Sequence, residues 1–211
     1  MKKLILISIV IMFSLPSFSQ CFNTELKDTT KLSFVVGGEF GSSKILSGKL
    51  AEQYELYPAT LSLRGGVRLD NLEIFAFYNF SYVTDYLWLE EEYGFSEETF
   101  DLSFNTYGLE SKIVSKKPVL SEVYPFLSLR GGYTKAREVP SNKELFTESK
   151  GAGSLLGIGI GANFCCQPFE LFILLDYDYY IIEGENKFKD KIDFGVLSLS
   201  AGLNIQLFKI K

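Results

Sequence analysis

Histidine is absent from the 211-residue sequence, and cysteine, methionine and tryptophan occur only three, two and one times. Without an imidazole, the chain lacks the side chain that most often serves as a general base in catalysis. Three cysteines are too few to build a disulfide framework. We therefore expect no enzyme activity, with no catalytic residue, no metal ligand and no cofactor.

A hydrophobic run long enough to cross a bilayer as a helix is also missing. The apolar stretch from Leu4 to Phe13 falls short of the roughly 20 residues required. Lys2 and Lys3 precede it, and small residues follow it in Ser17-Phe18-Ser19. This is the pattern of a secretory signal peptide. We predict a signal peptide at 1–19, a short periplasmic N-terminal segment at 20–30 and one domain at 31–211.

Export would bring the cysteines into an oxidising compartment. Cys21 follows the predicted cleavage site, so lipidation, a disulfide with Cys165 or Cys166, and an unmodified thiol all stay open. The residues Phe18, Ser19 and Gln20 lack the small residue that lipoprotein signals carry just before their cysteine. The formal charge of −5 argues against nucleic acid as a partner.

The mature part alternates with a period of two residues, which indicates strands with two different faces. In the stretch from Leu61 to Leu69, the odd positions are Leu, Leu, Gly, Val and Leu, and the even positions are Ser, Arg, Gly and Arg. In the fourth strand Leu102 and Phe104 share one parity while Tyr107 and Leu109 share the other. A bulge near Asn105, or large residues that point inward, would explain that change. We predict eight strands at 31–41, 59–70, 72–84, 100–113, 123–135, 154–165, 169–182 and 194–208.

The connections alternate between short and long. Short turns are predicted after strands 2, 4 and 6, and long loops after strands 1, 3, 5 and 7. Membrane barrels have short periplasmic turns and longer extracellular loops. We predict an all-β, eight-stranded antiparallel up-and-down transmembrane barrel, with loops available to an extracellular partner. These loops are 42–58, 85–99, 136–153 and 183–193.

The polar strand faces are rich in glycine and serine, which suits the narrow interior of eight strands. Aromatic residues cluster near the predicted strand ends, as bilayer interfaces favour. A soluble secreted sandwich or lipocalin-like barrel would place the apolar faces inward instead. The predicted aromatic girdle consists of Tyr82, Tyr86, Trp88, Tyr124, Phe164, Phe169, Tyr177, Tyr179 and Phe208.

If the polar faces point inward, they bring charged side chains into the barrel. Buried charges need partners, because an unpaired one costs several kcal/mol. We predict an arginine–carboxylate network that plugs the lumen, with a gated conduction path as the alternative. Its members are Glu39, Arg64, Arg68, Glu73, Arg130, Glu170, Asp176 and Asp178.

Together these features resemble the small outer-membrane barrels of the OmpA transmembrane-domain and OmpX type, within the broad outer membrane protein beta-barrel domain group. The resemblance is architectural and covers nearly the whole mature chain. It implies Sec-type export to the outer membrane and contact with lipid and lipopolysaccharide there. The closing strand, with Gly202 and Phe208, looks like the signal recognised by the barrel-assembly machinery, although Lys209-Ile210-Lys211 follow the aromatic residue.

For function, the resemblance implies a non-enzymatic barrel with a structural or surface-interaction role. Outer-membrane barrel enzymes of known type rely on a histidine, which this chain lacks. A small-solute or hydrophobic-ligand channel and a component of a secretion or assembly complex are the alternatives.

Overall fold

The computed structural model describes residues 32–48, 50, 59–91, 94–120, 122–142, 145–166 and 169–210. Within strands, only the backbone is described for 85–91, 94–98, 165–166 and 208–210. The predicted signal peptide, the segment 20–30 and Cys21 lie outside the described residues. Among the described residues, no helix has the length and hydropathy needed to cross a membrane.

Eight antiparallel strands form a closed barrel in which each strand pairs with its neighbours in sequence and β8 pairs with β1. The predicted eight-stranded antiparallel up-and-down barrel is therefore confirmed. The strands are β1 (Leu32–Ser47), β2 (Ala59–Leu69), β3 (Leu72–Glu91), β4 (Gly94–Val114), β5 (Val123–Pro140), β6 (Ser149–Cys166), β7 (Phe169–Gly184) and β8 (Ile192–Ile210).

The turns after β2 and β4 lie at one end of the barrel, which we call the turn end; the opposite end is the loop end. The β2–β3 turn is the tightest, because Leu69 pairs with Leu72 and only Asp70 and Asn71 connect them. Asp70 has a φ of 55°, a left-handed conformation that aspartate tolerates better than most residues. Val114 donates a backbone hydrogen bond to Asn71, which ties this turn to the end of β4.

The predicted loops are too long, because the strands continue past the boundaries set from the sequence. β1 runs to Ser47, β5 runs to Pro140, and β6 begins at Ser149. The prediction of a loop at 85–99 is wrong: the backbones of β3 and β4 pair continuously as far as Glu91 and Gly94. A run of acidic residues is typical of a solvated loop, whereas here both strands stay paired up to the gap between Glu91 and Gly94.

The fourth strand contains no bulge. Its register with β3 and with β5 is unbroken through Asn105, and Leu102 and Phe104 are both buried inside the barrel. Large inward-pointing residues therefore explain the parity change. Tyr107 and Leu109 face outward and are 50% and 63% exposed.

The inside of the loop end is apolar, which the sequence analysis did not predict. Tyr180 and Phe194 stack with ring centres 5.0 Å apart, and Phe104 packs against both rings. A short 3₁₀ helix, Asn186–Phe188, lies after β7 and places Phe188 in the same cluster, fully buried. Lys187 anchors this helix to Glu138 of β5 through a 2.5 Å ion pair. We call Phe104, Tyr180, Phe188 and Phe194 the apolar layer.

Candidate functional site in the barrel interior

The polarity of the two faces of the barrel wall is the reverse of that in a water-soluble barrel. Leucine and isoleucine occupy the outside, with Leu63, Leu129 and Leu156 each more than half exposed. Charged and small polar residues share the inside with buried apolar side chains such as Phe75 and Phe126. All eight residues of the predicted ion-pair network lie at inward-facing positions, and the structure brings them into three groups.

The first group surrounds Arg64. Its guanidinium donates to Glu39 at 2.5 Å from one nitrogen and to Glu110 at 3.1 Å from another. The Phe172 ring lies beneath it, with the ring centre 4.1 Å from the Arg64 Cζ. Because β1, β2 and β4 each supply one member, this group joins strands that are not all neighbours in the barrel.

Lys112 lies beside this group, and its side chain is completely buried. Its Nζ is 3.9 Å from Glu110 and has no hydrogen-bond acceptor among the described residues. The ring centres of Phe126 and Phe172 are each 4.5 Å away, and Phe75 is at 5.6 Å. Aromatic faces attract a cation through their quadrupole, and desolvation strengthens that attraction. Three phenylalanine rings therefore substitute for part of the hydration shell of Lys112.

The second group lies toward the turn end around Arg68. Its Nε donates to Glu73 at 2.5 Å and another nitrogen donates to Glu170 at 2.6 Å. Asn204 of β8 donates to the other oxygen of Glu170 at 3.0 Å. This group therefore links β2, β3, β7 and β8 across the interior.

The third group joins Arg130 of β5 to β7. The guanidinium contacts Asp176 and lies 3.5 Å from Asp178. Gly157 of β6 provides the space: a Cβ atom there would meet Asp178 and would lie 2.6 Å from the Arg130 Cγ. The glycine repeat at 157, 159 and 161 therefore leaves room for interior side chains. It does not form a phosphate-binding loop, because it lies within a strand.

Sequence reasoning missed Glu110 and Lys112. Their strand was the one whose parity changed, so neither residue could be assigned to the interior from the sequence. The three groups and Lys112 together contain six carboxylates and four cations, and a further buried carboxylate, Glu138, binds Lys187 at the loop end. The apolar layer covers this charge at the loop end. One described cavity below that layer has a volume of only about 10 Å³ and is lined by Ser43, Thr60, Asn79 and Ser81 among others. Such a space holds at most about one water molecule.

The predicted girdle residues occupy several settings. Tyr82, Phe169 and Tyr177 face outward and are exposed, and Phe164 and Tyr179 lie half-buried at outward register positions. Tyr124 occupies an inward register position opposite Asn163. Tyr86 and Trp88 belong to the extension of β3 beyond its pairing with β2, and like Phe208 their side chains lie outside the described part.

A row of outward tyrosines was not predicted. Tyr78, Tyr107 and Tyr133 are register neighbours on β3, β4 and β5. The rings of Tyr78 and Tyr107 are 5.1 Å apart, and the Tyr78 hydroxyl donates to Asn105 at 2.6 Å. The shared parity of Tyr107 with Leu109, and of Tyr133 with Leu129, was the signal that could have found these two tyrosines.

An apolar outer wall, a charged interior and a closed antiparallel sheet define a barrel of the transmembrane class. Comparison with solved structures gives the same fold, that of the small outer-membrane β-barrels. Neisserial surface protein A aligns with a TM-score of 0.62 at 18% identity, over 83% of this chain and 99% of that one. A major outer membrane protein of Thermus thermophilus aligns with a TM-score of 0.47 at 15% identity, over 83% and 99%. The N-terminal barrel domain of Pseudomonas aeruginosa OprF aligns at 0.46 and 13%, over 82% and 98%. No protein-family model matches the chain, and no curated protein sequence matches it.

Proposed function

We propose that this chain is a sealed, non-enzymatic outer-membrane barrel that presents a surface for interaction at its loop end. The observation that carries the membrane placement is the inverted wall. Exposed leucines and isoleucines surround the barrel, whereas monomeric soluble proteins rarely expose a continuous apolar surface of that extent. Lipid is the solvent in which this arrangement is stable.

The packed interior supports a sealed barrel over a channel. Arg64, Arg68 and Arg130 each bind two carboxylates across the lumen, and the apolar layer closes the loop end above them. A conducting path would need continuous water through both layers. Planar-bilayer recordings test this point directly. Neither the wild-type protein nor the Arg130→Ala variant should show a steady pore conductance, because the apolar layer is intact in both.

Removing the apolar layer as well should change the result. Arg130→Ala combined with Phe194→Ala removes one arginine of the charged interior and one stacked ring of the apolar layer, so we expect conductance to appear only in this double variant. Stable conductance in the wild type would favour the transport alternative.

A β-ribbon projects beyond the barrel wall and supports the surface role. Past the pair Asp85–Phe100, the backbones of Tyr86–Glu91 and Gly94–Thr99 pair only with each other among the described strands. We call this hairpin the β3–β4 ribbon. Its sequence from 85 to 99 contains six acidic residues and no lysine or arginine. An unpaired strand edge accepts an added strand, and the charge favours a cationic one.

The interaction role is tested with protein reconstituted in lipid vesicles and a lysine-rich extended peptide as the probe. A variant in which residues 86–98 are replaced by a two-residue turn should retain the barrel, because the deleted segment lies beyond the wall. The wild type should bind the probe with an affinity that falls as salt rises, and the shortened variant should not. Equal binding by both proteins would refute a role for the ribbon.

A further inference from the structure

Three cations lie close together on the outer face at the loop end of β5 and β6. Lys135 and Arg137 occupy successive outward positions of β5, and Lys150 of β6 is the register partner of Arg137. All three are exposed, with the side chains of Arg137 and Lys150 57% and 63% accessible. We call these three residues the basic patch.

The basic patch contrasts with the outer rim beside it. Outward positions on nearby strands carry the carboxylates Asp101, Glu183 and Asp193, and the whole chain has a formal charge of −5. A concentration of positive charge on one side of an acidic protein is not expected from composition alone, so it indicates an anionic partner.

One carboxylate contacts the basic patch. Glu148 accepts from the Arg137 Nε at 2.6 Å and lies 3.3 Å from the Lys150 Nζ. Lys135 makes no ion pair within the described part of the chain. Three cations and one carboxylate leave a formal excess of two positive charges. Because Glu148 engages the Nε side of Arg137, it holds the guanidinium while leaving its terminal nitrogens able to donate.

The basic patch lies directly next to the apolar outer wall. Below Lys135, the outward positions of β5 are Tyr133, Gly131 and Leu129, and those of β6 beside them include Leu156. A Cβ atom on Gly131 would lie 3.8 Å from Leu156, an ordinary van der Waals contact, so the wall there has no large side chain between the two leucines. Tyrosine marks the level of a bilayer interface. The cations therefore lie at headgroup height, with exposed leucines at the level of the acyl chains.

We infer that Lys135, Arg137 and Lys150 bind the phosphorylated headgroup of an outer-leaflet lipid, whose acyl chains lie along Leu129 and Leu156. The inference rests on the proposed membrane placement. A planar guanidinium and two ammonium groups match the charge and acceptor geometry of phosphate. Because the apolar wall adjoins the three cations, a lipid is favoured over a soluble anion as the ligand of the basic patch.

The test uses full-length protein folded in detergent micelles and native mass spectrometry, with bisphosphorylated lipid A as the probe and its dephosphorylated form as the comparison. The triple variant Lys135→Gln, Arg137→Gln, Lys150→Gln should bind the phosphorylated probe about 10-fold more weakly or worse. Binding of the dephosphorylated form should not change. Lys189→Gln, which removes an exposed cation from the loop before β8, should bind like the wild type.

Two further variants distinguish charge from structure. Glu148→Gln removes the opposing carboxylate and should strengthen binding. Lys135→Arg with Lys150→Arg keeps the charge and should preserve it, which provides a folded comparison if the triple variant is unstable. Inorganic phosphate at the probe's concentration should not compete; full competition would identify a site for free anions and overturn the inference.

Gel migration of the same samples separates this inference from the proposed function. Equal binding by the wild type and a triple variant that shows a heat-dependent band shift would overturn the lipid site and leave the barrel assignment standing. A wild-type protein without any heat-dependent shift would overturn both.

Discussion

The Nζ of Lys112 lies 4.5 Å from the centre of the Phe172 ring, inside the barrel and without a hydrogen-bond acceptor among the described residues. The same ring lies beneath Arg64, with its centre 4.1 Å from the Cζ. One aromatic side chain therefore contacts two cations that also share Glu110. Glu110 is the carboxylate on which both charges depend.

This arrangement predicts unequal effects for two substitutions of similar size. In Lys112→Met, Glu110 keeps its 3.1 Å contact with Arg64 and the cage accepts an apolar chain, so the free energy of unfolding should change by less than about 1.5 kcal/mol. In Glu110→Met, two buried cations lose a partner, and the loss should be about 3–5 kcal/mol. Urea unfolding in lipid vesicles measures both, and equal losses would contradict the assigned role of Glu110.

The outward orientation of Leu63 and the inward orientation of Ser62 predict unequal effects for substitutions at these two neighbouring positions of β2. Leu63 faces outward and is 58% exposed, whereas Ser62 faces inward and is buried. Leu63→Arg places a charge against lipid and should destabilise the inserted barrel by about 2–4 kcal/mol. Ser62→Ala should cost less than about 1 kcal/mol. Folding yield into vesicles and urea midpoints check this pair, and similar effects at both positions would reverse the assignment of the faces.

Two glycines in adjacent strands should respond differently to an added methyl group. At Gly157 the new Cβ would lie 2.6 Å from the Arg130 Cγ, so Gly157→Ala must displace the arginine and should cost about 1–3 kcal/mol. At Gly131 the nearest atom is 3.8 Å away, and Gly131→Ala should be neutral or slightly stabilising. Thermal unfolding compares them. If Gly131→Ala proved the more damaging, the interior packing around Arg130 would be wrong.

The loop end predicts a pH response at Glu148. The hydrogen bond from Arg137, supported by Lys150, lowers the pKa of the Glu148 carboxyl to about 2. Because the folded pKa is depressed, the contact is present at and above the ordinary glutamate range and is lost only as pH falls toward 2. Carboxyl NMR titration should show this low pKa, and Arg137→Gln should raise it toward the ordinary value. An unchanged pKa in the variant would show that the contact does not form in solution.

The period of two, the alternation of short and long connections and the small residues on the polar faces were together enough to predict the barrel, its strand number and the direction of its wall. Register follows from that period, because a shift of one residue would turn every leucine of a strand inward. Glu39, Arg64, Arg68, Glu73, Arg130, Glu170, Asp176 and Asp178 could be assigned to the interior for the same reason.

Features that depend on contacts between strands could not be predicted in this way. Leu102 and Phe104 point inward because they pack with Tyr180 and Phe194, which are far away in sequence. That packing concealed the inward positions of Glu110 and Lys112 in the same strand. The β3–β4 ribbon was not predicted because a run of acidic residues is typical of a loop. In the structure, these residues belong to two strands whose backbones pair with each other.

Gel migration of membrane-extracted protein, with and without boiling, tests the central claim most directly. A folded barrel whose interior is fixed by ion pairs should resist detergent and run as a compact band until it is boiled. We predict a heat-dependent band shift for protein recovered from the outer-membrane fraction. A single unshifted band from a soluble fraction would contradict the account, because the apolar wall would then have to face inward.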